Sequence, residues 1–260
     1  MSRQGNVEFW YKTLEQGFAN GDPSFYAILV ALLVGIITLF VVFIRLGKKN
    51  NRRGILMMGA CDGGKTLMFS RLTANKYVET YTSIKENTGN YELTGDKTGT
   101  LRMIDLPGHE RLRSQYFDQY KASARGIMFV VDSASLQKDI KDVAECLYTI
   151  LTDGFVSSAA VPILIACNKQ DLTLAKGAKV VQKQLEKEMN TLRVTRSAAL
   201  EGTSDTGNNN TFLGRRDRDF QFADLKPFTV DFVECSARGS NGTDGDGELN
   251  QVIDWLQKIA

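Results

Sequence analysis

Apolar positions along the chain fall into three regimes. Residues 25–44 form an unbroken apolar run, twenty positions without a charge. Beyond residue 53 short apolar clusters of β type, at 55–58, 101–104, 127–131, 163–166 and 230–234, alternate with longer stretches of helical periodicity. Those stretches predict helices over 65–72, 111–122, 140–151 and 178–192. In the last of these Val181, Leu185, Met189 and Leu192 recur at three- and four-residue steps. A final helix is predicted over 248–258 and carries Trp255. Strands that are almost wholly apolar, separated by helices, predict an α/β domain with a mostly parallel sheet covered on both faces. The third regime, 197–219, is polar and of low complexity. It lacks the apolar area to offset ordering entropy, so a flexible insert is expected there.

The first regime reads as a transmembrane helix. At ~1.5 Å per residue it is about 30 Å long, the thickness of bilayer hydrocarbon. A core helix of that length would show a polar stripe, and a cleaved leader would have a basic start and a shorter apolar region. The flanks orient it. Arg3 and Lys12 stand before it against Glu8, Glu15 and Asp22, whereas Arg45, Lys48, Lys49, Arg52 and Arg53 crowd the residues after it. Basic flanks remain cytoplasmic and favour anionic headgroups. The organisation expected is therefore a short lumenal segment (1–24), a span (25–44), a basic juxtamembrane linker (45–53) and a cytosolic domain (54–260). The acceptor patterns at Asn209 and Asn241 should then stay unglycosylated.

Composition narrows the chemistry. Of 260 residues 24% are charged, and the net charge is only +2, which gives no bulk electrostatic case for sequence-specific nucleic-acid binding. Cys61, Cys146, Cys167 and Cys235 make no C-x-x-C pair, and His109 is the one histidine, so neither a disulfide scaffold nor a structural zinc site is indicated.

Four motifs carry the functional reading. Gly59-Ala60-Cys61-Asp62-Gly63-Gly64-Lys65-Thr66 matches G-x-x-x-x-G-K-[ST] between a strand and a helix. Such a loop wraps backbone N–H groups around phosphates at a helix N-terminus. Lys65 would reach the β/γ-phosphates, and Thr66 would offer its hydroxyl to Mg²⁺. Asp105 ends a strand and opens Asp105-Leu106-Pro107-Gly108-His109. Its carboxylate can hold Mg²⁺ through water, and Gly108 leaves its N–H open to a γ-phosphate. Asn168-Lys169-Gln170-Asp171 follows the 163–166 strand. A carboxylate at Asp171 accepts from the N1–H and 2-amino group of guanine, and facing adenine it would be buried unpaired. Asn168 can tie base to loop, and the Lys169 stem can cover the ring. Ser236 and Ala237, after the last strand, would give backbone N–H groups to guanine O6. Each motif sits at the C-terminal end of its own strand, where ligands bind in open α/β sheets.

In this order the motifs resemble those of Ras-like small GTPases of the P-loop class, over about residues 53–260. The resemblance implies a six-stranded, mostly parallel sheet with helices on both faces, and GTP and Mg²⁺ as ligands. Thr82 or Ser83, ahead of the second strand, would meet the Mg²⁺. Most Ras-like proteins have Gln at the position of His109, where it orients the attacking water. Histidine there also occurs in translation GTPases, so His109 is the catalytic candidate and weak hydrolysis is expected.

Within the class, the N-terminal span, the D-x-P-G-H segment and the insert before the last strand look like the family of signal recognition particle receptor β subunits. So does the wording of 123–133, 165–171 and 184–198. That likeness implies a single-pass endoplasmic-reticulum protein. It would bind the receptor's α subunit in a GTP-dependent heterodimer, tether it to the bilayer, and meet the ribosome–nascent chain and translocon indirectly. The alternative is a vesicle-trafficking GTPase of the Arf/Sar type that turns over GTP. Such proteins leave the membrane, which a full span would prevent.

Overall fold

The computed structural model describes residues 27, 30–40, 52–93, 98–201 (backbone only at 198–201), 213–227, 229–242 and 245–260. It divides into two compact units, 1–51 and 52–260. In the first, residues 30–40 are helical and their apolar side chains are mostly exposed, Leu39 by 71%. No helix among the described residues is long and apolar enough to cross a membrane, the remainder of the predicted 25–44 span lying outside them.

The second unit is built on a six-stranded sheet. Its strands are β1 (Gly54–Met58), β2 (Asn87–Glu92), β3 (Thr100–Asp105), β4 (Ala124–Asp132), β5 (Ile163–Asn168) and β6 (Val230–Glu234). Their order is β2-β3-β1-β4-β5-β6; β2 alone runs antiparallel, paired with β3. The helices are α1 (Lys65–Ala74), α2 (Glu110–Tyr120), α3 (Leu136–Leu151), a short α4 (Gly154–Ser158), α5 (Ala178–Glu201) and α6 (Asn250–Ile259).

The period-2 geometry of a strand divides each apolar run between two cores. Leu56, Met58, Ile104, Ile127, Phe129, Ile163 and Ile165 join Phe117 of α2, Leu147 of α3 and Val181, Leu185 and Met189 of α5 in one. Ile55, Met57, Met103, Met128, Val130 and Leu164 join Met68 of α1 and Val252, Trp255 and Leu256 of α6 in the other. Burial on both faces is why these strands read as unbroken apolar runs. On the second face α6 comes unusually close to the sheet. A Cβ on Gly126 of β4 would stand 2.7 Å from Ile259 Cδ1 and 2.8 Å from the Trp255 ring. At that spot only a glycine admits the indole without displacement.

The elements depart from the sequence pattern in three places. β2, Asn-Thr-Gly-Asn-Tyr-Glu, shows no apolar run, because it is an edge strand that buries only Tyr91. Helix α5 continues past Leu192 to Glu201, within the expected insert. The return segment is also fixed: Leu213 and Phe220 are buried, and Arg193 of α5 donates to the carbonyls of Leu213 (3.4 Å) and Arg215 (2.8 Å) and to that of Arg218. Residues 202–212, with Asn209, lie outside the described residues.

Candidate functional site

In this strand order the chain passes from β1 to the edge strand β2 and back to β3 on one side, then outward through β4, β5 and β6 on the other. The topological switch lies between β1 and β4, where open α/β sheets bind ligands. The loop from β1 to α1 occupies that place. Its backbone is left-handed at Asp62 (φ 60°) and Gly64 (φ 84°), which turns successive N–H groups toward one side. Lys65 opens α1 and is 7% exposed, its Nζ donating to Ala60 O at 2.7 Å. Burial lowers the Lys65 pKa, against the pull of the nearby Asp105 carboxylate, which raises it.

Asp105 closes β3 with no exposed surface. Its Oδ2 accepts from Thr66 Oγ1 (2.8 Å) and from Asn87 Nδ2 (3.1 Å). The Thr66 hydroxyl also meets Ser83 Oγ at 3.2 Å. Burial raises the Asp105 pKa, opposed by the Thr66 and Asn87 hydrogen bonds and by the Lys65 charge. The other oxygen, Oδ1, is buried without a partner. A buried carboxylate with one unpartnered oxygen, flanked by two hydroxyls, is a hard-oxygen donor set of the kind a magnesium ion takes, directly or through its waters. Anionic phosphates and a divalent cation would supply Lys65 and Asp105 with the charge that burial denies them.

Gly108 lies against the loop: a Cβ there would stand 2.7 Å from Lys65 Nζ and 2.9 Å from Cys61 N. The cleft that results is lined by Cys61, Asp62, Gly64, Lys65 and Thr66, by 80–83, and by Leu106 and Gly108. Thr82 and Ser83 both line it, and Ser83 is the one in contact with Thr66. His109 lies at the rim as the N-cap of α2. It is exposed, and its Nδ1 accepts from Arg111 N at 3.4 Å.

The second pair of motifs meets at the ends of β5 and β6. Asn168, nearly fully buried, bridges three segments: Nδ2 donates to Gly63 O at 2.8 Å, and Oδ1 accepts from Ala237 N at 2.9 Å. Ser236 Oγ donates to Asp171 Oδ1 at 2.6 Å and accepts from Gly239 N at 2.8 Å. The N–H groups of Ser236 and Ala237, expected to face guanine O6, are instead bonded to Glu248 O (3.1 Å) and Asn168 Oδ1 (2.9 Å), because the bridge to Glu248 and the Asn168 amide take them first. Lys169 has a left-handed backbone (φ 68°), which costs a side-chain-bearing residue about 1–2 kcal/mol. Its Nζ is held by Asp132 Oδ2 at 2.6 Å, while Gln170 N donates to Cys235 O at 3.2 Å. Asp132, at the end of β4, also accepts from the N–H groups of Ala134 (2.9 Å) and Ser135 (3.1 Å).

All the residues singled out by motif therefore lie along one edge of the sheet, in two hydrogen-bonded clusters joined by Asn168. Asn87 and Asp132 were not singled out. Neither belongs to a motif, and only the pairing of β2 with β3 and of β4 with β5 brings them to Asp105 and Asn168. Three of the four free cysteines are buried, and burial pushes the thiols up, that of Cys146 to about 11 and that of Cys167 to about 12. Cys61, in the phosphate-type loop, is exposed.

Comparison with known proteins agrees with this geometry. The family model of the signal recognition particle receptor beta subunit matches residues 50–229. The mouse signal recognition particle receptor subunit beta is 43% identical over 256 residues, 98% of this chain and 95% of the mouse protein. A solved structure of the mammalian signal recognition particle receptor superposes with a TM-score of 0.68 at 45% identity, covering 80% of this chain and 100% of that one. The SRb-GTP/SRX complex of the receptor from Chaetomium thermophilum shares the fold, with a TM-score of 0.63 at 21% identity over 79% of this chain and 99% of that one. A small-GTPase fold with its motif residues at the strand ends, matched along nearly the whole chain by these proteins, places the chain in the signal recognition particle receptor beta subunit family.

Proposed function

We propose that this chain is the membrane-anchored guanine-nucleotide switch of a signal recognition particle receptor, and that its GTP form holds the α subunit at the endoplasmic-reticulum membrane. The observation that carries the reading is the bridge made by Asn168, which ties the phosphate-type loop at Gly63 to the base-type loop at Ala237. A vestigial site would have no need of a buried side chain that spans both. The family speaks for a receptor subunit over an Arf/Sar-type trafficking GTPase. The fungal complex, whose name includes GTP and SRX, supports a nucleotide ligand and a partner chain.

The geometry supports a role for each residue. The N–H groups of 59–64 and the Lys65 ammonium hold phosphate oxygens, and Asp171 selects the guanine edge. Thr66, Asp105 and Ser83 (with Thr82 beside it) hold Mg²⁺, which when bound neutralises phosphate charge. Gly108 lets the peptide after Pro107 approach the terminal phosphate. Contacts to that phosphate would order 80–83 and 108–111 together, and a partner gripping both segments senses the nucleotide by differential binding. In neutral His109 the Nδ1 acceptor role leaves the proton on Nε2. The ring can therefore orient a water by donating to it. The 25–44 run supplies the anchor, with 1–24 lumenal and the GTPase unit cytosolic. Ribosome and translocon are reached through the α subunit.

The test is capture of the α subunit's N-terminal region on full-length protein in detergent, loaded with GTP or GDP, with phosphate release followed in parallel. The GTP form should retain the partner and release little phosphate while it does so. Equal capture by the GDP form would reduce the nucleotide to a structural ligand and end the switch reading.

A further inference from the structure

Guanine differs from adenine at position 6, where a carbonyl oxygen replaces an amino group. A loop reads that difference by showing it N–H groups rather than C=O groups. The loop in question runs from Cys235 to Leu249 and is closed by the antiparallel bridge Ser236↔Glu248. One side chain from outside it sets which way its peptides face. Arg71, on α1, is 7% exposed. Its Nε donates to Ala237 O at 3.3 Å, and its Nη2 donates to Arg238 O at 3.5 Å and to Gly245 O at 2.6 Å. Its guanidinium also lies 5.6 Å from the centre of the Tyr77 ring. Among the described residues it forms no ion pair with a carboxylate. A buried cation compensated mainly by carbonyl oxygens is a costly arrangement unless those oxygens are held to it.

A trans peptide points its N–H opposite to its C=O. With the carbonyls of Ala237 and Arg238 drawn to Arg71, the N–H groups of Arg238 and Gly239 face away from it. Gly239 N is bonded to Ser236 Oγ, which itself holds Asp171. The N–H side of the loop is therefore the side of the guanine-reading carboxylate. The guanidinium fork also reaches both arms of the loop, 237–238 and 245, from the helix that begins at Lys65.

We propose that Arg71 is a positioning residue for base selection: it turns the carbonyls of Ala237 and Arg238 away from the base, so that the loop shows a 6-oxo purine the N–H of Arg238 and nothing that a 6-amino group can use. The inference rests on the guanine-site reading above. Without Arg71 the peptide between Ala237 and Arg238 loses its anchor, while the next stays held through Gly239 N, and a turned Ala237 carbonyl presents an acceptor that suits adenine. The 2-amino group of guanine belongs to Asp171 and should be unaffected.

The experiment compares GTP, ITP and ATP as competitors for a fluorescent GTP analogue on full-length protein in detergent, in the parent and in Arg71→Met and Arg71→Lys. Inosine keeps the 6-oxygen and lacks the 2-amino group. The GTP-over-ATP preference should fall about tenfold in Arg71→Met, the worth of one or two hydrogen bonds, with the GTP-over-ITP ratio kept within about twofold. Arg71→Lys, which keeps the charge but not the fork, should fall between. A uniform weakening of all three nucleotides, an unchanged GTP-over-ATP ratio, or a variant that fails to fold or to bind any nucleotide would each overturn the proposal, since Arg71 would then serve stability alone. A parent that does not prefer GTP to ATP would instead overturn the guanine site itself, whatever Arg71 does.

Discussion

Asp132 and Lys169 show how single residues serve the site without belonging to its signature. Burial pushes the Asp132 carboxyl up, but the Lys169 ammonium and the Ser135 N–H outweigh it and hold it below the usual 3.8. A depressed carboxylate adds stability above its unfolded value, and that stability is lost as pH falls through the folded value. The pair is partly solvated, so its contribution should be about 0.5–1 kcal/mol. Asp132→Asn keeps the acceptor for Ala134 and Ser135 but removes the charge. Unfolding free energies of parent and variant from urea titrations should therefore differ by about 0.5–1 kcal/mol near pH 6 and converge as pH falls through the parent's depressed value, below 3.8. A gap that persists unchanged into acid would assign the loss to packing rather than to the ion pair. Lys65, Thr66, Asp105, Asn168 and Asp171 were legible because their spacing is fixed by a motif. Arg71, Asn87 and Asp132 were not, because each reaches its partner only through the fold, with no local pattern to mark it. That Ser83 rather than Thr82 meets the Thr66 hydroxyl is likewise a matter of contact rather than of sequence.

At the scale of elements, hydrophobic periodicity carried most of the reading where both faces are buried. It placed β1, β3, β4, β5 and β6 and the cores of α1, α2, α3, α5 and α6 close to where they lie. It missed β2, whose pairing with β3 supplies the ladder and whose side chains are largely exposed. It ended α5 at the last apolar step, although Arg193 beyond that point holds the return segment through backbone carbonyls, an interaction with no apolar signature. The seat of α6 on Gly126 was also invisible, because a glycine in a strand does not announce what fills its space. Gly126→Val would drive branched methyls into Trp255 and Ile259, and overpacking of that kind costs about 1–3 kcal/mol. Chemical unfolding should show that loss. A variant as stable as the parent would mean that α6 rides loosely on the sheet.

At the scale of the molecule, the sequence pattern divides into an apolar run with a basic collar and an α/β domain, and the boundary between the two compact units falls at residue 51, inside that collar. The proposed topology follows from charge asymmetry about the run. A glycosylation acceptor placed near Asn6 with enough spacer should be modified in microsomes, while the native Asn209 and Asn241 remain bare. Modification of Asn209 would reverse the orientation and put the nucleotide site on the wrong side of the membrane.

The proposed switch depends above all on the strand-end loops forming a guanine site with Asp171 as its selector. The decisive measurement is competition of GTP, XTP and ATP for labelled nucleotide on full-length protein, in the parent and in Asp171→Asn. The parent should bind GTP in strong preference to both others. The variant should shift toward XTP, because the new amide donor matches the 2-oxo group where the carboxylate matched an amino group, with each mismatched hydrogen bond worth tenfold or more by order of magnitude. Equal competition by ATP and GTP in the parent, or an Asp171→Asn protein that still ranks GTP above XTP as the parent does, would contradict it.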